Sequence, residues 1–227
     1  MSTRPLVPSL IESAGQHAVE IDTLSFIETM INTDFAVKQE IELAARQKAT
    51  VVFTSMNSVE VVTKELGKRI PSWNIYCIGN TTRALVEDHF GAAAIAGTTI
   101  NAAELALLII ENKVAEVIFF CGDKRREELP DLLNNQGIRV HELVVYRTFA
   151  VHHSIVKQYE GILFFSPSAA ESFFSTNNLP AETVLFAIGS TTANELRKYT
   201  TNTIITGKEP GKENLVNEAV KYFVKSE

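Results

Sequence analysis

One build occurs twice in this chain, and it limits the folds available more than any other feature. The first copy is Val51-Val52-Phe53-Thr54-Ser55-Met56-Asn57-Ser58-Val59, followed by Tyr76-Cys77-Ile78-Gly79-Asn80-Thr81-Thr82. The second is Ile162-Leu163-Phe164-Phe165-Ser166-Pro167-Ser168-Ala169-Ala170, followed by Phe186-Ala187-Ile188-Gly189-Ser190-Thr191-Thr192. Roughly 110 positions separate Ser55 from Ser166 and Gly79 from Gly189, so both landmarks recur in one order at nearly one offset. That is the mark of an internal duplication, and it predicts two similar lobes. Each landmark is a short apolar, β-branched run that stops at small hydroxyl residues before an amphipathic stretch. Apolar runs of that length read as buried strands. Ser, Thr and Asn are the residues that cap helix N-termini. Strand, small polar turn and helix make the βα unit of a parallel sheet. Such a turn presents backbone N–H groups at the positive end of a helix, a ready site for anions. Four of them in one chain point to a ligand rich in carboxylates or phosphates.

The 227 residues suffice for two lobes of about 110 residues each. Hydrophobic content of 45% with 21% charged is that of a soluble globular protein. A net charge of −6 argues against nucleic acid as the main partner. An anionic ligand then needs local N–H donors that outweigh the global field. Cys77 and Cys121 lie in apolar runs and read as buried thiols in a reducing compartment. Met1-Ser2-Thr3-Arg4-Pro5 has no apolar core of a signal peptide, and no apolar run approaches the roughly 20 residues that span a bilayer. The expectation is a cytoplasmic protein without membrane contact. No apolar stripe stands out as an interface, so a monomer is expected.

Taken in order, the chain alternates strands and helices. Strands are expected over 1–4, 19–24, 51–55, 73–79, 93–96, 117–121 and 139–146. Helices are expected over 9–18, 33–48, 59–66, 81–90, 102–111 and 127–135. Phe35, Val37, Ile41, Ala44 and Ala45 form the apolar stripe of the helix over 33–48. The later part repeats the logic with strands over 162–165, 184–188 and 203–206 and helices over 169–175, 191–198 and 213–224. The block 30–146 holds a full alternating set, while 149–227 is one or two elements short. The N-terminal elements complete that second set. Lobe 1 is then discontinuous, 1–27 plus 149–227, and lobe 2 is 30–146. The two chain crossings lie side by side, and functional groups at the carboxyl ends of the parallel strands face a cleft between the lobes.

The Thr54-Ser55-x-Asn57 and Ser166-Pro167-Ser168 turns are either helix caps or ligand cradles, and repetition of the whole set favours cradles. Tyr146 is either an interface tyrosine or a general acid, since a phenol with a pKa near 10 is protonated at neutral pH. Lys124, Arg125 and Arg126 are either a solvated first helical turn or carboxylate binders. His152 and His153 are adjacent and point apart, which is a poor metal site. Gly207-Lys208-Glu209-Pro210-Gly211-Lys212-Glu213 imitates a phosphate loop. It has too few residues between its glycines, and Glu stands where Ser or Thr holds magnesium.

Several of these pieces together resemble the uroporphyrinogen-III synthase family. They are Ser2-Thr3-Arg4-Pro5, Phe53-Thr54-Ser55-x-Asn57-x-Val59, Ile78-Gly79-Asn80-Thr81-Thr82, Cys121-Gly122-Asp123, Val145-Tyr146-Arg147-Thr148, Phe165-Ser166-Pro167-Ser168 and Ile188-Gly189-Ser190-Thr191-Thr192. They run in family order over nearly the whole chain. The resemblance implies two α/β lobes of parallel sheet joined by a two-stranded β-ladder. It implies an enzyme that closes the linear tetrapyrrole hydroxymethylbilane while inverting ring D, with no cofactor and no metal. It carries the role of acid to Tyr146. Substrate binding falls to Arg4, Thr54, Ser55, Asn57, Gly79, Asn80, Thr81, Thr82, Gly122 and Asp123. In the second half it falls to Ser166, Pro167, Ser168, Gly189, Ser190, Thr191 and Thr192. Ser190 departs from the family, where many members have Pro before the Thr pair, and the early segment lacks the longer first helix of some relatives. Two other readings use the same turns: a two-lobed protein, non-catalytic or an isomerase, that binds a phosphosugar or nucleotide, and a module that binds tetrapyrrole without turnover.

Overall fold

Val51, Val52 and Phe53 have no exposed surface in the computed structural model of the chain. The structure describes residues 1–209 and 211–224, and Asn80 by its backbone alone. It divides into two compact units, Met1–Glu28 with Phe149–Glu227, and Thr29–Thr148. The larger sheet is built from β1 (Ile27–Ile31), β2 (Ala49–Phe53), β3 (Trp73–Ile78), β4 (Ile95–Thr99), β5 (Glu116–Gly122) and β6 (Arg139–Ala150). The smaller is built from β7 (Gly161–Phe164), β8 (Val184–Ala187) and β9 (Ile204–Thr206). The helices are α1 (Pro8–Gly15), α2 (Phe35–Ala45), α3 (Met56–Leu66), α4 (Asn80–Phe90), α5 (Ala102–Glu111), α6 (Glu128–Asn135), α7 (Pro167–Phe174), α8 (Ser190–Leu196) and α9 (Lys212–Val224). Mixed α/β architecture with parallel sheets follows from this alternation.

In the Thr29–Thr148 unit the strand order is β1-β6-β5-β2-β3-β4. The ladders β2–β3, β2–β5, β3–β4 and β5–β6 are all parallel. Strand alternation sends Val51, Phe53, Ile75, Cys77 and Phe120 into one core and Val52, Tyr76, Phe119 and Cys121 into another. Both faces are therefore covered, as the unbroken apolar runs of these strands require. Phe53 stacks on Phe120 at 5.2 Å between ring centroids. Helix α3 buries Val59, Val62 and Leu66 at helical spacing.

In the other unit β7, β8 and β9 pair in parallel. Ser2 bridges to Leu163 on one side and to Thr23 on the other, both in parallel. The expected strands over 1–4 and 19–24 are thus reduced to single bridges, because Pro5 follows at once and stops a ladder from growing. Helix α1 ends at Gly15 rather than Ala18, and Ala18 itself adopts a left-handed φ of 58°. Helix α2 starts at Phe35, which is 72% exposed and so leaves the expected stripe to Val37, Ile41, Ala44 and Ala45. The segment expected as a strand over 93–96 opens in a short 3-10 turn, Ala92–Ala94, and its second half begins β4 at Ile95. Cys77 and Cys121 are free and buried.

Candidate functional site

A parallel sheet opens a crevice at the carboxyl ends of its strands where the winding direction reverses. In the Thr29–Thr148 unit the chain leaves β2 towards β3 and β4, then returns to β5 and β6 on the other side. The reversal lies between β2 and β5. Directly after β2 stands Ser55, and at the end of β5 stand Gly122 and Asp123. Ser55 is extended and caps α3, its side chain accepting from the Asn57 N–H at 3.2 Å. Ser58 closes the turn by donating its hydroxyl to the Ser55 carbonyl at 2.8 Å.

Tyr146 is brought to this point by a register shift. Cys121 pairs with Val144, but Gly122 pairs with Tyr146, so β6 carries one extra residue there. Such a bulge re-aims the side chain that follows it. The phenol donates to Ser55 Oγ at 3.0 Å, across 91 residues of sequence. Its ring lies hard against Gly122: a Cβ added there would meet Tyr146 Cε2 and Cζ at 2.4 Å. Asp123 clasps the strand around it, its N–H donating to the Tyr146 carbonyl at 3.2 Å and its carboxylate accepting from the Thr148 N–H at 2.8 Å. Burial pushes the Tyr146 pKa above the usual phenol value, and the Ser55 hydrogen bond opposes this more weakly. The phenol therefore stays protonated at neutral pH. Burial also pushes the Cys121 thiol up to about 12, which leaves it a neutral packing group beside the phenol.

The other unit has a reversal of its own, between the Ser2 bridge and β7. Arg4 follows that bridge, and Phe165-Ser166 follow β7. The Arg4 guanidinium sits over the Phe165 ring at 5.9 Å. Arg4 is half-buried, and desolvation lowers its pKa. Ser166 caps α7, accepting from the Ala169 N–H at 3.1 Å. Gly189 opens α8 without a side-chain cap, as Gly79 opens α4.

The expected site residues thus fall into two groups. Thr54, Ser55, Asn57, Gly79, Thr81, Gly122, Asp123 and Tyr146 lie at the carboxyl ends of the larger sheet. Arg4, Ser166, Pro167, Ser168, Gly189, Ser190 and Thr191 lie at those of the smaller sheet. Thr82 and Thr192 are buried, 6% and 3% exposed, and face their cores. The side chain of Asn80 lies outside the described residues, as does Pro210 in the loop that imitates a phosphate site. Arg125 is held by Glu142 and, at 3.1 Å, by Glu127, so carboxylates within the chain already occupy it. His152 bonds Ser175 and His153 bonds the Ser25 carbonyl, each with its own partner. Sequence reasoning missed Phe165 as the platform under Arg4 and Ser58 as the clasp of the Ser55 turn. An aromatic residue before the hydroxyl turn was the available signal for the first.

A family model described as "Uroporphyrinogen-III synthase HemD" matches residues 7–217. The chain belongs to the uroporphyrinogen-III synthase family. Its reaction is the family's, formation of uroporphyrinogen III in haem biosynthesis, and its substrate is a small molecule. The fold is also that of solved members. The chain is similar to a mutant uroporphyrinogen III synthase from the extremely thermophilic bacterium Thermus thermophilus, with a TM-score of 0.69 at 12% identity, covering 100% of this chain and 98% of that one. It is similar to uroporphyrinogen-III synthetase from Helicobacter pylori, with a TM-score of 0.64 at 20% identity, covering 91% and 96%. Among the described residues no helix is long and apolar enough to cross a membrane.

Proposed function

We propose that this synthase binds hydroxymethylbilane through both sets of strand-end turns and that Tyr146 supplies the proton for loss of its terminal hydroxyl. The reading includes duplicated lobes, lobe 1 as 1–27 plus 149–227 and lobe 2 as 30–146, with a two-stranded link and a shared cleft. The observation that carries it is the Tyr146 phenol held 3.0 Å from Ser55 at the reversal point of a parallel sheet. A neutral acid there can protonate a departing hydroxyl, which leaves as water and gives a reactive azafulvene. Ring D then attacks through its substituted carbon, forming the spiro intermediate from which the inverted macrocycle is reached. Free in solution the substrate closes without inversion, so the enzyme works mainly by holding one pose and excluding the other.

The carboxylates of the bilane suit the N–H groups at the turns formed by Thr54, Ser55 and Asn57 and by Gly79, Asn80, Thr81 and Thr82. They equally suit Ser166, Pro167 and Ser168, and Gly189, Ser190, Thr191 and Thr192. Arg4 adds a half-buried cation that forms no ion pair among the described residues. Gly122 and Asp123 belong to the site by shaping the seat of Tyr146. The enzyme is proposed to act as a cytoplasmic monomer without cofactor, metal or nucleic-acid partner. The test is a coupled assay: porphobilinogen and its deaminase generate the bilane, the protein is added, and the oxidised isomers are separated. Predominantly isomer III is expected, falling about tenfold in rate with Tyr146→Phe, below the ~10²–10⁴ of a typical general acid because the hydroxyl leaves readily. A Tyr146→Phe rate within twofold of wild type would remove Tyr146 from the mechanism.

A further inference from the structure

The hydrogen-bond inventory of Ser55 separates the group that holds the proton from the group that delivers it. A hydroxyl has two lone pairs and one proton. Both lone pairs of Ser55 Oγ are taken, one by the Asn57 N–H at 3.2 Å and one by the Tyr146 O–H at 3.0 Å. Its own proton has no acceptor among the described residues. The phenol is half-buried, as Ser55 is, but its proton is already placed. Gly122 lies against its ring, and its O–H is committed to Ser55. The donor of the pair with a proton left to give is therefore Ser55, which follows β2 at the β2–β5 reversal and caps the 11-residue helix α3.

We infer that Ser55 delivers the proton to the substrate and that Tyr146 replaces it from behind. This rests on the reading of Tyr146 as the proton source. In the step, the Ser55 O–H proton passes to the terminal hydroxyl of hydroxymethylbilane. The C–O bond breaks with its electron pair on oxygen, and water leaves. The Tyr146 proton moves onto Ser55 Oγ at the same time, so the negative charge ends on the phenolate. Ser55 then donates back to that phenolate along the same 3.0 Å line. The positive end of α3 lies beside the charge as it forms. The spiro intermediate then opens and ring D recloses through its free α-carbon, which loses its proton to the phenolate and so restores Tyr146. The balance is bilane to macrocycle plus water, with no oxidant and no net proton. Ser55 is the catalytic residue at the reacting oxygen, and Gly122 and Asp123 are positioning residues that hold the phenol behind it.

The test is the single-turnover rate of isomer III formation in Tyr146→Phe, Ser55→Asn, Ser55→Thr and the double variant Tyr146→Phe/Ser55→Asn. Asn keeps the helix cap but gives up no proton, whereas Thr keeps both functions. We expect Tyr146→Phe and Ser55→Asn each to fall about tenfold with half-saturation within twofold, the double variant to fall no further, and Ser55→Thr to stay within about threefold, as for groups acting as one unit. Plotted against the deuterium fraction of the solvent, the wild-type rate should bow, showing two protons in flight, and the single variants should give straight lines. A multiplied loss in the double variant, or Ser55→Asn within twofold of wild type while Tyr146→Phe falls, would overturn the relay and leave Tyr146 as direct donor. A straight wild-type plot overturns it without recourse to any variant. Tyr146→Phe within twofold of wild type would defeat the Tyr146 reading itself, and with it the relay.

Discussion

The two reversal points share a frame and differ in chemistry. After β2 comes Ser55, capping α3; after β7 comes Ser166, capping α7. In both sheets a strand on the far side of the reversal places a second group near the serine turn, β6 beyond β5 in the larger sheet and the Ser2 segment next to β7 in the smaller. Beside Ser55 it is a neutral phenol on a bulged strand, bonded to the serine itself. Near Ser166 it is the guanidinium of Arg4, over the Phe165 ring and bonded to no carboxylate among the described residues. The caps also differ in reach: Ser55 bonds the N–H two residues on, Ser166 the one three residues on. One frame thus carries a proton donor in one unit and an anion-binding cation in the other. The frame supplies position, and the neighbouring segment supplies function.

That division can be broken most sharply at Gly122. Ala there places its Cβ 2.4 Å from the Tyr146 ring, and one of the two must move. Because the ring is braced by Ser55, we expect activity to fall about tenfold, as far as in Tyr146→Phe, since the displaced phenol no longer reaches its place. Stability should drop by about 1–3 kcal/mol from overpacking. Isomer assays and urea melts read both effects, and full activity in Gly122→Ala would mean that the phenol needs no such seat. The corresponding attack on the other unit is Arg4→Gln. Loss of a charge-assisted bond worth about 1.5–3 kcal/mol should raise KM roughly tenfold to hundredfold. The maximal rate should change little, whereas Gly122→Ala should lower kcat more than it raises KM. If Arg4→Gln lowers kcat instead, the split between chemistry and binding is wrong.

The pH profile tests the proton-donor half by itself. Tyr146 acts protonated, and burial raises its pKa above the usual value of 10.0. Its ionisation therefore costs activity only above that value. Any alkaline limb seen below pH 9 should persist unchanged in Tyr146→Phe, and a limb that vanishes there would contradict the direction of the shift.

Much of the frame was legible in the sequence because each element carries its own local signal. The apolar runs that became β2, β3, β5, β7 and β8, and caps such as Ser55 and Ser166, need only neighbours along the chain to be recognised. The site was legible less directly. Tyr146, Ser55 and Arg4 could be named, but not the contacts that define them. The extra residue in β6 has no mark in Val144-Val145-Tyr146, since a bulge depends on the register of the partner strand. The seat at Gly122 is visible only once the ring lies over it. Arg125 reads as a free cation until Glu142 arrives from the adjacent strand. Phe35 fits a helical stripe in sequence yet sits at the first turn of α2, where it stays exposed.

The smallest expected effect separates the two glycine turns that look alike in sequence. Gly79 has a φ of 72°, in the left-handed region, while Gly189 is extended at −173°. Neither has a heavy atom within 4 Å of an added Cβ, so space does not decide between them. Backbone conformation does. An L side chain at positive φ with ψ of 163° costs roughly 1–3 kcal/mol, whereas an added Cβ on an extended backbone costs nothing and removes freedom from the unfolded chain. Gly79→Ala should therefore destabilise by about 1 kcal/mol, and Gly189→Ala should be neutral or stabilising by up to ~1 kcal/mol. Urea midpoints at unchanged m-value measure the difference. Equal shifts in both variants would mean that the two turns share one conformation in solution, and the asymmetry between the units would then rest on Tyr146 and Arg4 alone.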